Sequence, residues 1–175
     1  SEAAISQFLL DFSAHCGAEK IHLIAHSMGN RGLLRALQRI ALNVEQRGSV
    51  KFGQIFLAAP DVDRDLFIDL AQVFPHYAER TTLYASKGDK AVLLSAALHG
   101  APRAGYFEPY TLANEVDTIA VPDFDIDLLG HSYFAQAEAL LHDMYSLIRQ
   151  DQPPNKRQRI HRLENAGQEL WYLQR

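Results

Sequence analysis

Residues Ile21-His22-Leu23-Ile24-Ala25-His26-Ser27-Met28-Gly29 decide how this sequence folds. Ile21 to Ala25 is a short apolar run that reads as a strand. From Ser27 to about Gln46 the spacing of Leu33, Leu34, Leu37, Ile40 and Ala41 is helical, and Arg47-Gly48-Ser49 supplies a stop. Between the two the chain has to reverse within a residue or so. Ala25 and Gly29 keep the positions two before and two after Ser27 small, as a G-x-S-x-G turn requires where strand and helix backbones close on each other. Such a turn exposes a serine Oγ at the carboxyl end of a strand, above the positive end of a helix. In open α/β sheets ligands bind along that edge. The plainer reading of Ser27 is a helix N-cap. His26 is expected to pack beside the turn, because neighbours on so sharp a bend point in different directions.

The same alternation continues outward. Upstream, Ile5, Phe8, Leu9, Phe12 and Cys16 recur at helical spacing over residues 2–16, which makes the lone cysteine a core residue and leaves no intrachain disulfide. Downstream, Ile55 to Ala59 is continuously apolar, as in a strand covered on both faces. A helix over Leu66–Phe74, a strand over Thr81–Ser86, a short helix over Ala91–Leu98 and a strand over Asp117–Val121 follow. The last helix runs over Ser132–Arg149, with Phe134, Leu141, Met144 and Ile148 on one side. Strands alternating with helices predict a parallel α/β sheet of about four strands with helices on both faces. Residues 1–150 form this core. Residues 151–175 read as a tail, with Lys156, Arg157, Arg159 and Arg162 as a solvated basic end and Leu170–Leu173 able to dock on the body.

Composition narrows the function. The chain has 175 residues, 47% of them hydrophobic, and 17 Lys+Arg against 21 Asp+Glu give a net charge of −4. That balance predicts no nucleic-acid partner, since such partners select a basic excess. No apolar run approaches a membrane span and no signal-peptide pattern opens the chain, so a soluble, cytoplasmic protein is expected, with an upstream targeting segment left open. Asp61-x-Asp63-x-Asp65 and Asp123-x-Asp125-x-Asp127 lack the glycine and glutamate of a calcium loop, so neither metal nor cofactor is expected.

A nucleophilic serine needs a base within reach and a carboxylate to orient that base, in the chain order Ser, Asp/Glu, His for this kind of turn. Candidates must also follow strand ends. Asp89, in Ser86-Lys-Gly-Asp89, is favoured as the acid; Asp61, after Ile55–Ala59, stays as the alternative, its competing role being a cap of the helix near Arg64. His131, after Asp117–Val121, is the base. The other histidines lie in or beside helices, in a strand or in the tail. The Met28 backbone N–H, next after the nucleophile, is the oxyanion donor.

Four segments together, Ile21–Gly29, Leu57-Ala-Ala-Pro-Asp-Val-Asp63, Tyr84-Ala-Ser-Lys-Gly-Asp89 and Gly130-His-Ser-Tyr133, resemble a bacterial family of esterase/lipase-like α/β-hydrolases of unknown physiological function. The resemblance covers most of residues 1–150. It implies Ser27 as nucleophile, Asp89 as acid and His131 as base, and a small acyl ester as substrate. Members of that family carry several strands before the Ser-bearing strand and a His-Gly loop there. This sequence starts at the helix just before that strand, so it is expected to form the C-terminal half of the α/β-hydrolase fold. The second oxyanion donor is then missing, and the Ile21–Ala25 strand becomes an unpaired edge open to self-association. The competing expectation is a non-catalytic binding module or an inactive truncated hydrolase. Residues 100–116, with Tyr106, Phe107 and Tyr110, are the candidate pocket-lining insertion.

Overall fold

Strands β1 (Leu23–His26), β2 (Phe52–Ala58), β3 (Ala78–Ser86), β4 (Val116–Val121), β5 (Ile160–Asn165) and β6 (Gln168–Leu173) form one sheet in the order β1-β2-β3-β4-β6-β5. This is a computed structural model, and it describes residues 1–86, 100–106, 109–121, 133–165 and 168–174. Every neighbouring pair is parallel except β5–β6, an antiparallel hairpin. The helices are α1 (Glu2–His15), α2 (Gly29–Leu42), α3 (Arg64–Ala71), α4 (Phe74–Tyr77) and α5 (Tyr133–Gln150). The expected helix over Ala91–Leu98 lies outside the described residues.

Alternation along the central strands separates two cores. Ile55, Leu57 and Leu83 face one side, against Leu34, Leu37 and Ile40 of α2 and Phe67 of α3. Phe56, Tyr84 and Ile119 face the other, against Leu140, Met144 and Leu147 of α5. All seven residues of β2 are buried, as its unbroken apolar run requires. The parallel α/β sheet with helices on both faces is therefore present, with six strands in place of about four.

The two extra strands come from the expected tail. Ile160, Leu170 and Leu173 are buried, and β6 pairs with β4 through Ile119–Trp171 and Ala120–Tyr172. Arg157, expected on a solvated basic end, is buried with its side chain only 1% exposed. Its Nε donates to Asp143 Oδ1 at 2.9 Å, and Nη2 reaches Asp143 Oδ2 and, at 3.3 Å, the Tyr84 hydroxyl. Tyr84 in turn donates to Asp143 Oδ2 at 2.7 Å. Burial, reinforced by the Asp143 carboxylate, pushes the Tyr84 hydroxyl well above its ordinary pKa.

Two helical faces differ from expectation. On α5 the buried stripe is Leu140, Asp143, Met144 and Leu147, whereas Leu141 and Ile148 are exposed. The inward stripe contains a carboxylate, so an apolar count shifts its phase. On α1 only Ser6 and Leu9 are buried; Phe8 and Phe12 stack on each other at 5.5 Å in the open, and Cys16 is half-buried. This helix meets α2 at Gly32, where an added Cβ would lie 2.8 Å from Ile5 Cδ1, and Ser6 Oγ donates to the Ala36 carbonyl at 3.2 Å.

Candidate active site

Strand β1 ends at His26 and α2 begins at Gly29, so Ser27 and Met28 alone make the reversal. Ser27 takes φ +50°, a left-handed conformation that costs a non-glycine residue of order 1–2 kcal/mol. Such strain persists only where the surroundings over-determine it. Here they do. The Ser27 N–H donates to the Ala58 carbonyl at 3.0 Å, across the top of β2. The Ser27 carbonyl accepts from three donors: Asn30 N at 3.2 Å, Asp61 N at 3.2 Å and the Asn30 side-chain Nδ2 at 2.9 Å. The N-cap of α2 is Met28, without a side-chain cap bond, so the Ser27 hydroxyl is not used in capping. Ala25 is buried, as a tight turn requires, but a Cβ on Gly29 would meet nothing within 4 Å. His26 is exposed and does not pack beside the turn.

One strand further in, the geometry is repeated. Ala59 follows β2 with φ +41°, and its N–H donates to the Tyr84 carbonyl at 2.9 Å. Residues 100–106 then run antiparallel along residues 60–64. Gly105 N donates to Pro60 O, Ala104 N to Val62 O and Arg64 N to Pro102 O, each at 2.9 Å. The approach demands glycine at 105: an added Cβ would lie 2.4 Å from the Ala59 carbonyl carbon. This strap also accepts the N–H of Ser86, the last residue of β3, at 2.7 Å through the Gly105 carbonyl.

The strap delivers Arg103 to Asp61. Their side chains, 9% and 19% exposed, meet at 3.2 Å. The helix cap foreseen for Asp61 belongs instead to Asp63, whose Oδ1 accepts from Asp65 N and Leu66 N. Of the expected pocket-lining aromatics, Tyr106 and Tyr110 are half-buried and the Tyr110 carbonyl accepts from Arg64 Nε at 3.0 Å; Phe107 lies outside the described residues. Asp89 and His131 also lie outside the described residues. The structure thus brings Ser27, Met28 and Asp61 to one end of neighbouring strands.

Sequence reasoning missed Asn30 and Arg103. Asn30 is fully buried and sits on the inward stripe with Leu33, Leu34, Leu37 and Ile40. A polar residue in phase with an apolar stripe was the available signal. Nothing local marks Arg103, because a strap from beyond β3 brings it to Asp61.

No curated protein and no solved structure matches the chain. A protein-family profile described as alpha/beta hydrolase of unknown function (DUF900) matches residues 1–150, which leaves the β5–β6 hairpin outside the matched region. With a mostly parallel sheet, and a serine held in a left-handed turn between its edge strand and the next helix, the chain belongs to this α/β-hydrolase family.

Proposed function

We propose that this chain is a serine hydrolase that cleaves small carboxylic esters through Ser27, His131 and Asp89. The observation that carries the proposal is the Ser27 turn: a strained φ of +50° held by four hydrogen bonds, with the hydroxyl free of capping duty. Strain maintained at that position fits a nucleophile presented above a helix N-terminus.

In this mechanism His131 takes the Ser27 Oγ proton as Oγ bonds to the ester carbonyl carbon. The carbonyl electron pair moves to oxygen, and the Met28 N–H donates a hydrogen bond to that developing oxyanion. The adduct collapses, the carbon–alcohol oxygen bond breaks, and the alcohol leaves with the proton from His131. Water then gives a proton to His131 and adds to the acyl carbon. Expulsion of Ser27 Oγ, which regains that proton, releases the acid. Asp89 holds the other ring nitrogen of His131 in the required tautomer and stabilises the imidazolium.

The Arg103 contact favours Asp89 over Asp61 as the acid. Asp61 Oδ1 is already engaged by the Arg103 Nε at 3.2 Å, in a pair whose side chains are 9% and 19% exposed, so this carboxylate has a structural role of its own.

Hydrolysis of p-nitrophenyl acetate tests the assignment. Ser27→Ala is expected to lower kcat to background, a loss of about 10⁴-fold or more. Asp89→Asn is expected to cost about 10⁴-fold, and Asp61→Asn far less. Unchanged turnover in Ser27→Ala contradicts the mechanism, and the larger loss in Asp61→Asn moves the acid role to Asp61.

A further inference from the structure

Asn30 lies at the first turn of α2 with no exposed surface, in a position that an apolar residue would fill at no polar cost. Its Nδ2 donates to two carbonyls, Ser27 O at 2.9 Å and Ala58 O at 3.2 Å. Its Oδ1 has no partner among the described residues. A buried amide ordinarily uses both ends. Here only the donor end is used, and it grips the carbonyl of the residue on which the proposed chemistry turns.

That carbonyl shares a peptide group with the Met28 N–H. The peptide is planar and trans, so its C=O and N–H point in opposite directions. Gripping the Ser27 oxygen from behind fixes the direction in which the Met28 N–H points in front. Hydrogen bonds accepted by a C=O also polarise the peptide and strengthen its N–H as a donor, by about 10–30% per bond. The Asn30 and Asp61 backbone N–H groups act on the same oxygen at 3.2 Å each, but the Asn30 side chain makes the shortest of the three contacts. It also ties that oxygen to Ala58 O, the acceptor of the Ser27 N–H.

We propose that Asn30 is a positioning residue for oxyanion stabilisation: its side-chain amide orients and polarises the Ser27–Met28 peptide, whose N–H donates to the oxyanion. This rests on the serine-hydrolase reading above and deepens it. Because the charge develops only on the way to the tetrahedral adduct, losing the Asn30 donor acts on kcat and leaves KM in place.

The test uses the full chain with Asn30→Leu, which keeps the branched shape and removes the donor. The expected result is a kcat about 10- to 100-fold lower, less than the ~10²–10³ of losing an oxyanion donor outright, with KM within about twofold. A second readout needs no turnover. The ¹⁵N resonance of the Met28 amide moves upfield when the carbonyl before it loses a hydrogen bond, while those of Leu37 and Ile40 deeper in α2 stay in place. Should Asn30→Leu fail to fold, Asn30→Ala removes the donor without adding bulk and is read the same way. An unmoved Met28 resonance, or a kcat equal to that of the wild type, overturns the inference. If Ser27→Ala retains activity, the serine reading falls as well; if Ser27→Ala is dead and Asn30→Leu is not slowed, only the role of Asn30 falls.

Discussion

At one edge of the sheet, β1 contributes four residues of which only Ala25 is buried, and Ile24 stays 63% exposed. At the opposite side the β5–β6 hairpin is fastened by a buried cluster of Arg157, Asp143 and Tyr84, and its outer strand carries exposed His161 and Arg162. The first edge is held by backbone bonds around two left-handed turns; the second is held by side-chain charge. Charged outer residues are how sheets ordinarily blunt an edge, and β5 has them. At the carboxyl end of β1, bonds from Ala58, Asp61 and Asn30 hold Ser27 in a strained conformation. Fastening and function are divided between the two sides of the sheet.

Three perturbations separate the sides. The largest effect is expected from Arg157→Leu. Removing one partner of a buried ion pair leaves Asp143 uncompensated, at about 3–5 kcal/mol, measurable as a fall in the urea midpoint. Destabilisation below about 1 kcal/mol contradicts the view that charge fastens the hairpin. On the elbow side, Gly105→Ala drives a Cβ into the Ala59–Pro60 backbone and is expected to cost about 1–3 kcal/mol. It also slows ester turnover more than Arg157→Leu does once both are compared well below their melting temperatures. Equal effects of the two variants on turnover undo the division.

The smallest effect is a pair of opposite pH limbs. His22, just before β1, accepts from Gln54 N–H through Nδ1 at 2.9 Å, and burial, with Lys20 nearby, lowers its pKa. A depressed histidine gives stability that is present above its unfolded value of 6.5 and lost as pH falls through the folded value. Tyr84 has a raised pKa, so its contribution is present below the unfolded value of 10.0 and lost as pH rises beyond it. Each limb has a slope of at most about 1.4 kcal/mol per pH unit. Denaturation at acid and alkaline pH checks both. Tyr84→Phe is expected to flatten the alkaline limb alone, and an unchanged alkaline slope in that variant contradicts the assignment.

How much of this was legible in the sequence follows the same division. The run Ile55–Ala59 announced a strand buried on both faces, and β2 is buried throughout. Ala25-x-Ser27-x-Gly29 marked the sharp turn between β1 and α2, because the small residues that such a turn calls for lie within five positions of one another. The hairpin was not legible as strands. Its burial depends on Arg157 meeting Asp143 and Tyr84, residues 14 and 73 positions away, and an arginine among Lys156 and Arg159 carries no sign of being neutralised. The phase of α5 was misread for the same reason, since Asp143 occupies an inward position. Within the site, the strand ends pointed to Asp61 as a carboxylate beside the turn. Arg103, which holds that carboxylate, arrives on a strap whose path no local pattern encodes.

The central claim is that Ser27 is an activated nucleophile. Intact-mass analysis of the chain after exposure to a fluorophosphonate probe, alongside Ser27→Ala, addresses it most directly. The account predicts one covalent adduct on the wild-type chain and none on the variant. A folded wild-type chain that gains no adduct, or a variant that gains the same one, contradicts it.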